Sequence, residues 1–131
     1  MYKKVFTLLL LLLPFQLLIA QKSLLKNFPE GYTPEEIGRR ITYRLVTEKH
    51  ALHAGKWIGY PETFYWNGSL KYAAAAKDKA LIKLLQARFE HLFTTEKALL
   101  PIKNHVDLNM FGSLPLELYW VTKDERYKEV G

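Results

Sequence analysis

Residues 105–127 read HVDLNMFGSLPLELYWVTKDERY, and the fold prediction starts from this stretch. It predicts one helix from about Asp107 to Val121, with a bend near Pro115, because proline lacks a backbone N–H. Apolar side chains cover nearly the whole circumference of this helix: Met110, Phe111, Leu114, Leu116, Leu118, Tyr119, Trp120 and Val121. A helix that is apolar all round is expected to be buried on every side.

Parts of this stretch also occur upstream. Gly68-Ser69-Leu70 recurs as Gly112-Ser113-Leu114, and Lys77-Asp78 recurs as Lys123-Asp124, at offsets of 44 and 46 residues. A period of that length with two helices per unit is typical of a helical-hairpin array. Chance is the alternative, since such short matches are common, but the two matches occur in the same order and favour the repeat.

The remaining elements are also helical. Thr33-Pro34-Glu35-Glu36 has the pattern of a capping box with proline at the first helical position. It predicts a helix to about Lys49 with an apolar stripe of Ile37, Ile41, Leu45 and Val46. Further helices are predicted over about 62–76, over about 79–93 and from Glu125 onward. No segment alternates as a strand does, so the predicted fold class is all-α.

These helices do not supply enough neighbours to surround the apolar helix at 107–121. Repeat arrays also end in units with a polar outer face, and residues 121–131 have no such face. We therefore expect residues 33–131 to form the first hairpins of a larger α/α barrel, which is incomplete at Gly131.

The N-terminus predicts export. Residues 1–20 have a short basic start, an apolar run and a small residue, Ala20, at the expected cut, which is the layout of a signal peptide. The alternative is an uncleaved anchor, but Pro14 and Gln16 interrupt the run, which is shorter than the roughly 20 residues that span a bilayer. No cysteine follows, which excludes a lipoprotein signal. Residues 21–32 are interpreted as a lead-in segment.

The charge composition indicates which classes of ligand the chain favours. The 19 Lys and Arg exceed the 13 Asp and Glu by six, and removal of Lys3 and Lys4 with residues 1–20 leaves +4. These charges are scattered, which argues against a nucleic-acid surface, while a mild positive field favours acidic sugars. The chain has no cysteine, so an exported form depends on its hydrophobic core alone.

Candidate catalytic chemistry centres on Asp107, which lies between His105 and Asn109. An aspartate where a helix begins is most simply an N-cap. The polar neighbours also suit a carboxylate that is oriented for acid/base work. If the repeat is real, Asp107 and Trp66 lie near equivalent ends of equivalent helices and face one rim.

The aromatic residues near that rim have two interpretations each. Tyr65 and Trp66 are either core packing or rings that stack on a sugar. Glu62 is a carboxylate that suits the first turn of a helix. Glu48, His50 and His53 do not make a convincing metal site, since zinc needs three or four protein ligands, and no metal or other cofactor is predicted.

The segments around Trp66-Asn67-Gly68-Ser69-Leu70, His105-Val106-Asp107 and Gly112-Ser113-Leu114-Pro115, together with Thr122-Lys123-Asp124-Glu125-Arg126-Tyr127, resemble a known group. It is glycoside hydrolase families 88 and 105, the unsaturated glucuronyl and rhamnogalacturonyl hydrolases. The resemblance covers the chain from Thr33 to its end, and its motifs are moderately specific.

The resemblance implies an (α/α)6 six-hairpin barrel and removal of an unsaturated uronic acid from pectin- or glycosaminoglycan-type oligosaccharides, without a metal. It implies that Asp107 is the first of two aspartates and that the main acid/base lies on a later helix, so this fragment alone is expected to be inactive. Trp66, His105, Asn109 and Tyr65 are the expected substrate-binding residues. The implied localisation is bacterial, periplasmic or extracellular. The alternative is a non-enzymatic helical-repeat binding module.

Overall fold

The computed structural model describes residues 26–48, 50, 56–101 and 105–131, without the side chains of Asp107 and Leu108. The predicted signal peptide and most of the lead-in segment lie outside these residues. The chain divides at Thr33 into two units. In the first unit, the described residues include a turn in which Tyr32 N–H donates to the Pro29 carbonyl at 3.0 Å. No helix among the described residues is long and apolar enough to cross a membrane.

The second unit, Pro34–Gly131, is helical and has no strand among its described residues, which confirms the all-α prediction. Its α-helices are α1 Pro34–Thr47, α2 Tyr60–Ala75, α3 Lys79–Glu90, α4 Val106–Asn109, α5 Ser113–Thr122 and α6 Glu125–Val130. Short 3-10 helices cover His91–Phe93, Lys97–Leu99 and Met110–Gly112.

Helix α2 is the centre of this unit. It begins after Gly59, which is extended, and Pro61 lies in its first turn, where a missing N–H costs nothing. It packs against α1, α3 and α5. These contacts bury Trp66, Leu70 and Ala73 completely.

An aromatic cluster fills the core around Phe89 of α3. The Phe89 ring meets Trp66 edge-on at 6.0 Å, Phe93 at 5.1 Å and Tyr127 at 5.6 Å, and stacks on Phe111 at 6.2 Å. Edge-to-face and offset contacts at these centroid distances are favourable. The cluster therefore joins side chains from α2, α3, α6 and both nearby 3-10 helices.

The two Lys-Asp turns share two features, a left-handed lysine and a capping aspartate. Lys77 after α2 and Lys123 after α5 both have left-handed backbones, with φ of 55° and 61°. The aspartate that follows each lysine caps the next helix: Asp78 accepts from Leu81 N–H at 2.9 Å and Asp124 accepts from Arg126 N–H at 3.1 Å. The hairpins α2–α3 and α5–α6 thus have a lysine and an aspartate in corresponding roles, although the backbone hydrogen bonds that end α2 and α5 differ: Asp78 N–H donates to Ala73, whereas Lys123 N–H donates to Tyr119.

The single helix predicted over 107–121 is divided. Helix α4 ends at Asn109, a 3-10 turn covers Met110–Gly112, and α5 begins at Ser113. The break has a physical cause, since Pro115 offers no N–H to the carbonyl of Phe111 and its ring crowds that group. Pro115 instead lies in the first turn of α5, where its N–H is not required.

This apolar segment is only partly buried within the described residues. Leu114, Pro115 and Leu118 are buried, whereas Leu116 is 45% and Trp120 68% exposed. Helix α5 therefore covers one side of the core and leaves two large apolar side chains in solvent.

The buried face of α1 differs from the predicted stripe as well. Thr42 and Leu45 are its buried residues, and Ile41 is 46% exposed. Gly38 lies against the ring of Tyr72. This close approach of α1 to α2 brings the face with Gly38, Thr42 and Leu45 inward and turns Ile41 out.

Candidate functional site

Four ionisable side chains from separate segments meet at the beginning of α2. His50 comes from the α1–α2 connection, Glu62 from α2, Arg88 from α3, and Glu96 from the segment after α3. The Nδ1 atom of His50 contacts Oε1 of Glu62, and its Nε2 atom lies 3.2 Å from Oε2 of Glu96. Nη1 of Arg88 donates to the same oxygen of Glu96. We call these four residues the carboxylate–histidine cluster.

The cluster is withdrawn from water, and this sets its charges. The side chains of His50 and Glu62 are each 4% exposed. Burial lowers the pKa of His50, and the charge of Arg88 lowers it further against the opposing effect of Glu96. Burial raises the pKa of Glu96, but the hydrogen bond and charge of Arg88, together with His50, outweigh it and lower that pKa overall. At neutral pH, His50 is therefore neutral and Glu96 ionised.

These charges locate one proton. A neutral imidazole has one N–H donor and one acceptor nitrogen. Since Glu96 is ionised, Nε2 of His50 carries the hydrogen and donates to it, which leaves Nδ1 as an acceptor. A hydrogen bond between Nδ1 and Glu62 then requires a hydrogen on that carboxyl group, which is a prediction of this assignment. The second oxygen of Glu62, Oε2, is buried without a hydrogen-bond partner among the described residues, which an un-ionised carboxyl tolerates better than a carboxylate does.

The cluster has the connectivity of a proton relay, with an acid, an imidazole, a carboxylate and a guanidinium in series. It also ties the His50 segment to α2, α3 and the segment after α3. Arg88 and Glu96 were not among the candidates from the sequence. Arg88 carries a usable signal, because it is a charged residue at helical spacing from Leu81 and Leu85, on the apolar face of the predicted helix.

The predicted catalytic segment lies at α4. Asp107 falls in the first turn of this four-residue helix, and its side chain lies outside the described part of the structure. His105 and Asn109 are both exposed, and Asn109 N–H donates to the His105 carbonyl at 2.9 Å. The two polar neighbours of Asp107 thus lie at the surface.

The two predicted aromatic residues have different environments. Trp66 is fully buried and packs edge-on against Phe89. Trp66 is therefore a core residue, as the alternative of core packing predicts. Neither face of its ring is open to a sugar. Tyr65 is partly buried, and its hydroxyl donates to the Ile41 carbonyl at 2.6 Å. Burial raises the pKa of Tyr65, so the hydroxyl remains a donor.

A side-chain hydrogen bond joins the segments that carry these residues. Nδ2 of Asn67, next to Trp66, donates to Oγ of Ser113 at 3.1 Å, and that hydroxyl donates to the Met110 carbonyl at 2.8 Å. The start of α5 is therefore fixed against the middle of α2.

Within the part of the chain that the structure describes, no group of three or more His, Asp or Glu side chains could hold a metal ion. Glu48 pairs with Arg44 at 2.8 Å, while both ring nitrogens of His50 face carboxyl groups. His53 lies outside the described residues.

Comparison with known proteins adds no further constraint: no family, no curated protein and no solved structure matches the chain.

Proposed function

We propose that this chain is the N-terminal part of an exported glycoside hydrolase that removes unsaturated uronic acid residues from acidic oligosaccharides. In this proposal the hairpins α2–α3 and α5–α6 are early units of an (α/α)6 barrel. The observation that supports the proposal is the pattern that their turns share, a left-handed lysine followed by a capping aspartate. The motif resemblance supplies the reaction, since a fold alone does not imply one.

The proposed roles follow from position. Asp107 assists at the sugar from the first turn of α4, and exposed His105 and Asn109 bind sugar hydroxyl groups. Tyr65, which is partly buried and bonded to the Ile41 carbonyl of α1, is the remaining aromatic candidate for sugar binding, while Trp66 is buried and has no direct contact with the sugar. The main acid/base belongs to a later inner helix, and neither a metal nor another cofactor takes part.

The test uses the complete translated protein, including any sequence after Gly131. Unsaturated uronide disaccharides of several linkages are added, and loss of the absorbance of their conjugated double bond is followed. We expect turnover that Asp107→Asn lowers by about 100-fold or more, the usual contribution of a positioned acid/base group, with an unchanged circular dichroism spectrum.

Glu129→Gln is the matched control, because it makes the same chemical change at an exposed surface position. It should leave turnover unchanged. A folded complete protein that leaves the double bond intact in every disaccharide would contradict the proposal. Export is tested separately, by N-terminal sequencing of the protein from outside the cytoplasm, which should begin at Gln21.

The second candidate is a non-enzymatic helical-repeat binding module. It is favoured by a groove beside exposed Trp120 that is lined by lysines. The disaccharide assay separates the two candidates, since a binding module leaves the absorbance constant.

A further inference from the structure

A groove of about 570 Å³ lies where α2 ends, α3 begins and α5 ends. The aliphatic part of its lining, which we call the floor, is Ala74, Ile82 and Val121, and the ring of Trp120 also lines it. Trp120 is 68% exposed. Binding pockets commonly have volumes of about 300–1,000 Å³ and apolar floors, so this groove is large enough for a few residues of peptide.

The rim of the groove is positively charged. Lys71, Lys77 and Lys79 line it, with Glu117 as the single acidic lining residue. Within the described residues, none of the three lysines forms an ion pair. Their excess charge is available to an acidic ligand.

Two nearby aspartates have hydrogen-bond partners outside the groove. Asp78 accepts from the backbone of Leu81, and Asp124 pairs with Arg126 at 2.7 Å. Lys123 adds another cation, with its Nζ 4.4 Å from the centroid of the Trp120 ring. The positive rim therefore continues across the indole.

The floor distinguishes between classes of acidic ligand. A sugar chain presents hydroxyl groups that need hydrogen-bond partners when they are desolvated, and alkyl groups of Ala74, Ile82 and Val121 supply none. An apolar side chain loses nothing there and gains by leaving water. Exposed tryptophans are also frequent anchors in protein interfaces.

We propose that this groove binds an acidic segment of a partner protein, with one large apolar side chain on the floor against Trp120 and flanking carboxylates paired with Lys71, Lys77 and Lys79. This goes beyond the proposed hydrolysis, because the groove shares no residue with the Asp107 segment. Hydrolase activity and peptide binding can fail independently.

The test measures binding of labelled synthetic peptides to the full chain by fluorescence anisotropy. The first peptide alternates Asp and Glu around one central Phe; a second has Ala in place of Phe, and a third has Asn and Gln in place of the acids. We expect the first to bind, with an affinity that falls as salt is added. The Ala peptide should bind at least about tenfold more weakly, and the amide peptide should not bind.

Variants locate the site. Trp120→Ala should weaken binding by about tenfold or more, and the double variant Lys71→Glu with Lys79→Glu should abolish it. Lys83→Glu is the matched control, since Lys83 is exposed on α3 but does not line the groove. All these positions are exposed, so circular dichroism should remain unchanged.

Three outcomes would overturn the proposal. One is no binding of the Phe peptide to the folded chain. Another is an equal loss in Lys83→Glu, which would indicate general charge attraction. The third is binding of an oligogalacturonate, abolished by Trp120→Ala, in place of the peptide.

Discussion

The ring of Tyr72 on α2 occupies the space that a side chain at Gly38 on α1 would need. Its hydroxyl donates a hydrogen bond of 2.9 Å to the carbonyl of Glu35, one turn earlier on α1. The ring is therefore held at both ends, by packing at position 38 and by the hydrogen bond at position 35. This contact fixes the distance between the two helices.

Two glycine substitutions should have opposite effects. Alanine at Gly38 collides with the fixed ring of Tyr72, so Gly38→Ala should lower the free energy of unfolding by about 1–3 kcal/mol. At Gly68, inside α2, an added Cβ meets nothing within 4 Å. Gly68→Ala should raise the free energy of unfolding by about 0.5–1 kcal/mol, because alanine favours the helix. Urea unfolding measures both, and a stabilised Gly38→Ala would contradict the packing argument.

The left-handed lysines give a second prediction. A side chain in this conformation costs about 1–2 kcal/mol, so Lys77→Gly and Lys123→Gly should each stabilise the folded chain by up to about 1 kcal/mol. Lys83→Gly is the control: in the middle of α3 it should destabilise by about 1 kcal/mol. Thermal unfolding of the three variants would show whether the two turns respond alike. Destabilisation by Lys77→Gly or Lys123→Gly would contradict this prediction.

The protonation of Glu62 can be tested by isosteric substitution. Glutamine reproduces a neutral carboxyl group that donates to Nδ1 of His50, so Glu62→Gln should change the free energy of unfolding by less than about 1 kcal/mol. Glu62→Ala leaves Nδ1 without a partner and opens a cavity, so it should cost about 2–4 kcal/mol. If both variants lose the same free energy of unfolding at neutral pH, Glu62 is ionised in the wild type and does not donate to His50.

The carboxylate–histidine cluster predicts loss of stability in acid. Because the pKa of His50 is lowered by folding, the unfolded chain binds that proton at higher pH, near the ordinary value of about 6.5. Stability should therefore fall as the pH drops below about 6.5 through the lower pKa of the folded state. The pKa of Glu96 is also lowered, so a second loss should follow as the pH falls below about 4.3.

Unfolding free energies measured across this range for two variants would assign the first step. His50→Gln should remove it and leave the Glu96 step in place. His105→Gln changes an exposed histidine and should retain both steps. An identical pH profile for wild type and His50→Gln would exclude His50 as the source.

The sequence predicts the features that depend on local chemistry. The proline and capping pattern at 34–36 places the start of α1 correctly, and the Lys-Asp pairs place both turns. The break at Met110–Gly112 was predicted only as a bend near Pro115, because the sequence does not tell how a helix relieves a missing donor.

Features that depend on contacts between residues far apart in the sequence are harder to predict. The carboxylate–histidine cluster joins His50 to Glu96 across 46 residues, and no local pattern indicates such a pairing. The outward position of Ile41 follows from the packing of Gly38 on Tyr72. This is a contact between two helices, and the hydrophobic periodicity within one helix does not indicate it. For the predicted substrate-binding residues, the sequence left Trp66 open between rim and core, and only its packing against Phe89 decides the matter.

The burial of Trp66 also allows the intrinsic fluorescence of the protein to report its folding. The chain has three tryptophans, and their exposed fractions differ widely: none for Trp66, 41% for Trp57 and 68% for Trp120. Light emitted by Trp66 comes from a dry aromatic environment and shifts to longer wavelength when the core opens. Emission from Trp120 instead comes from solvent and shifts to shorter wavelength when a ligand covers the ring. Folding and groove occupancy can thus be followed in one spectrum without a label.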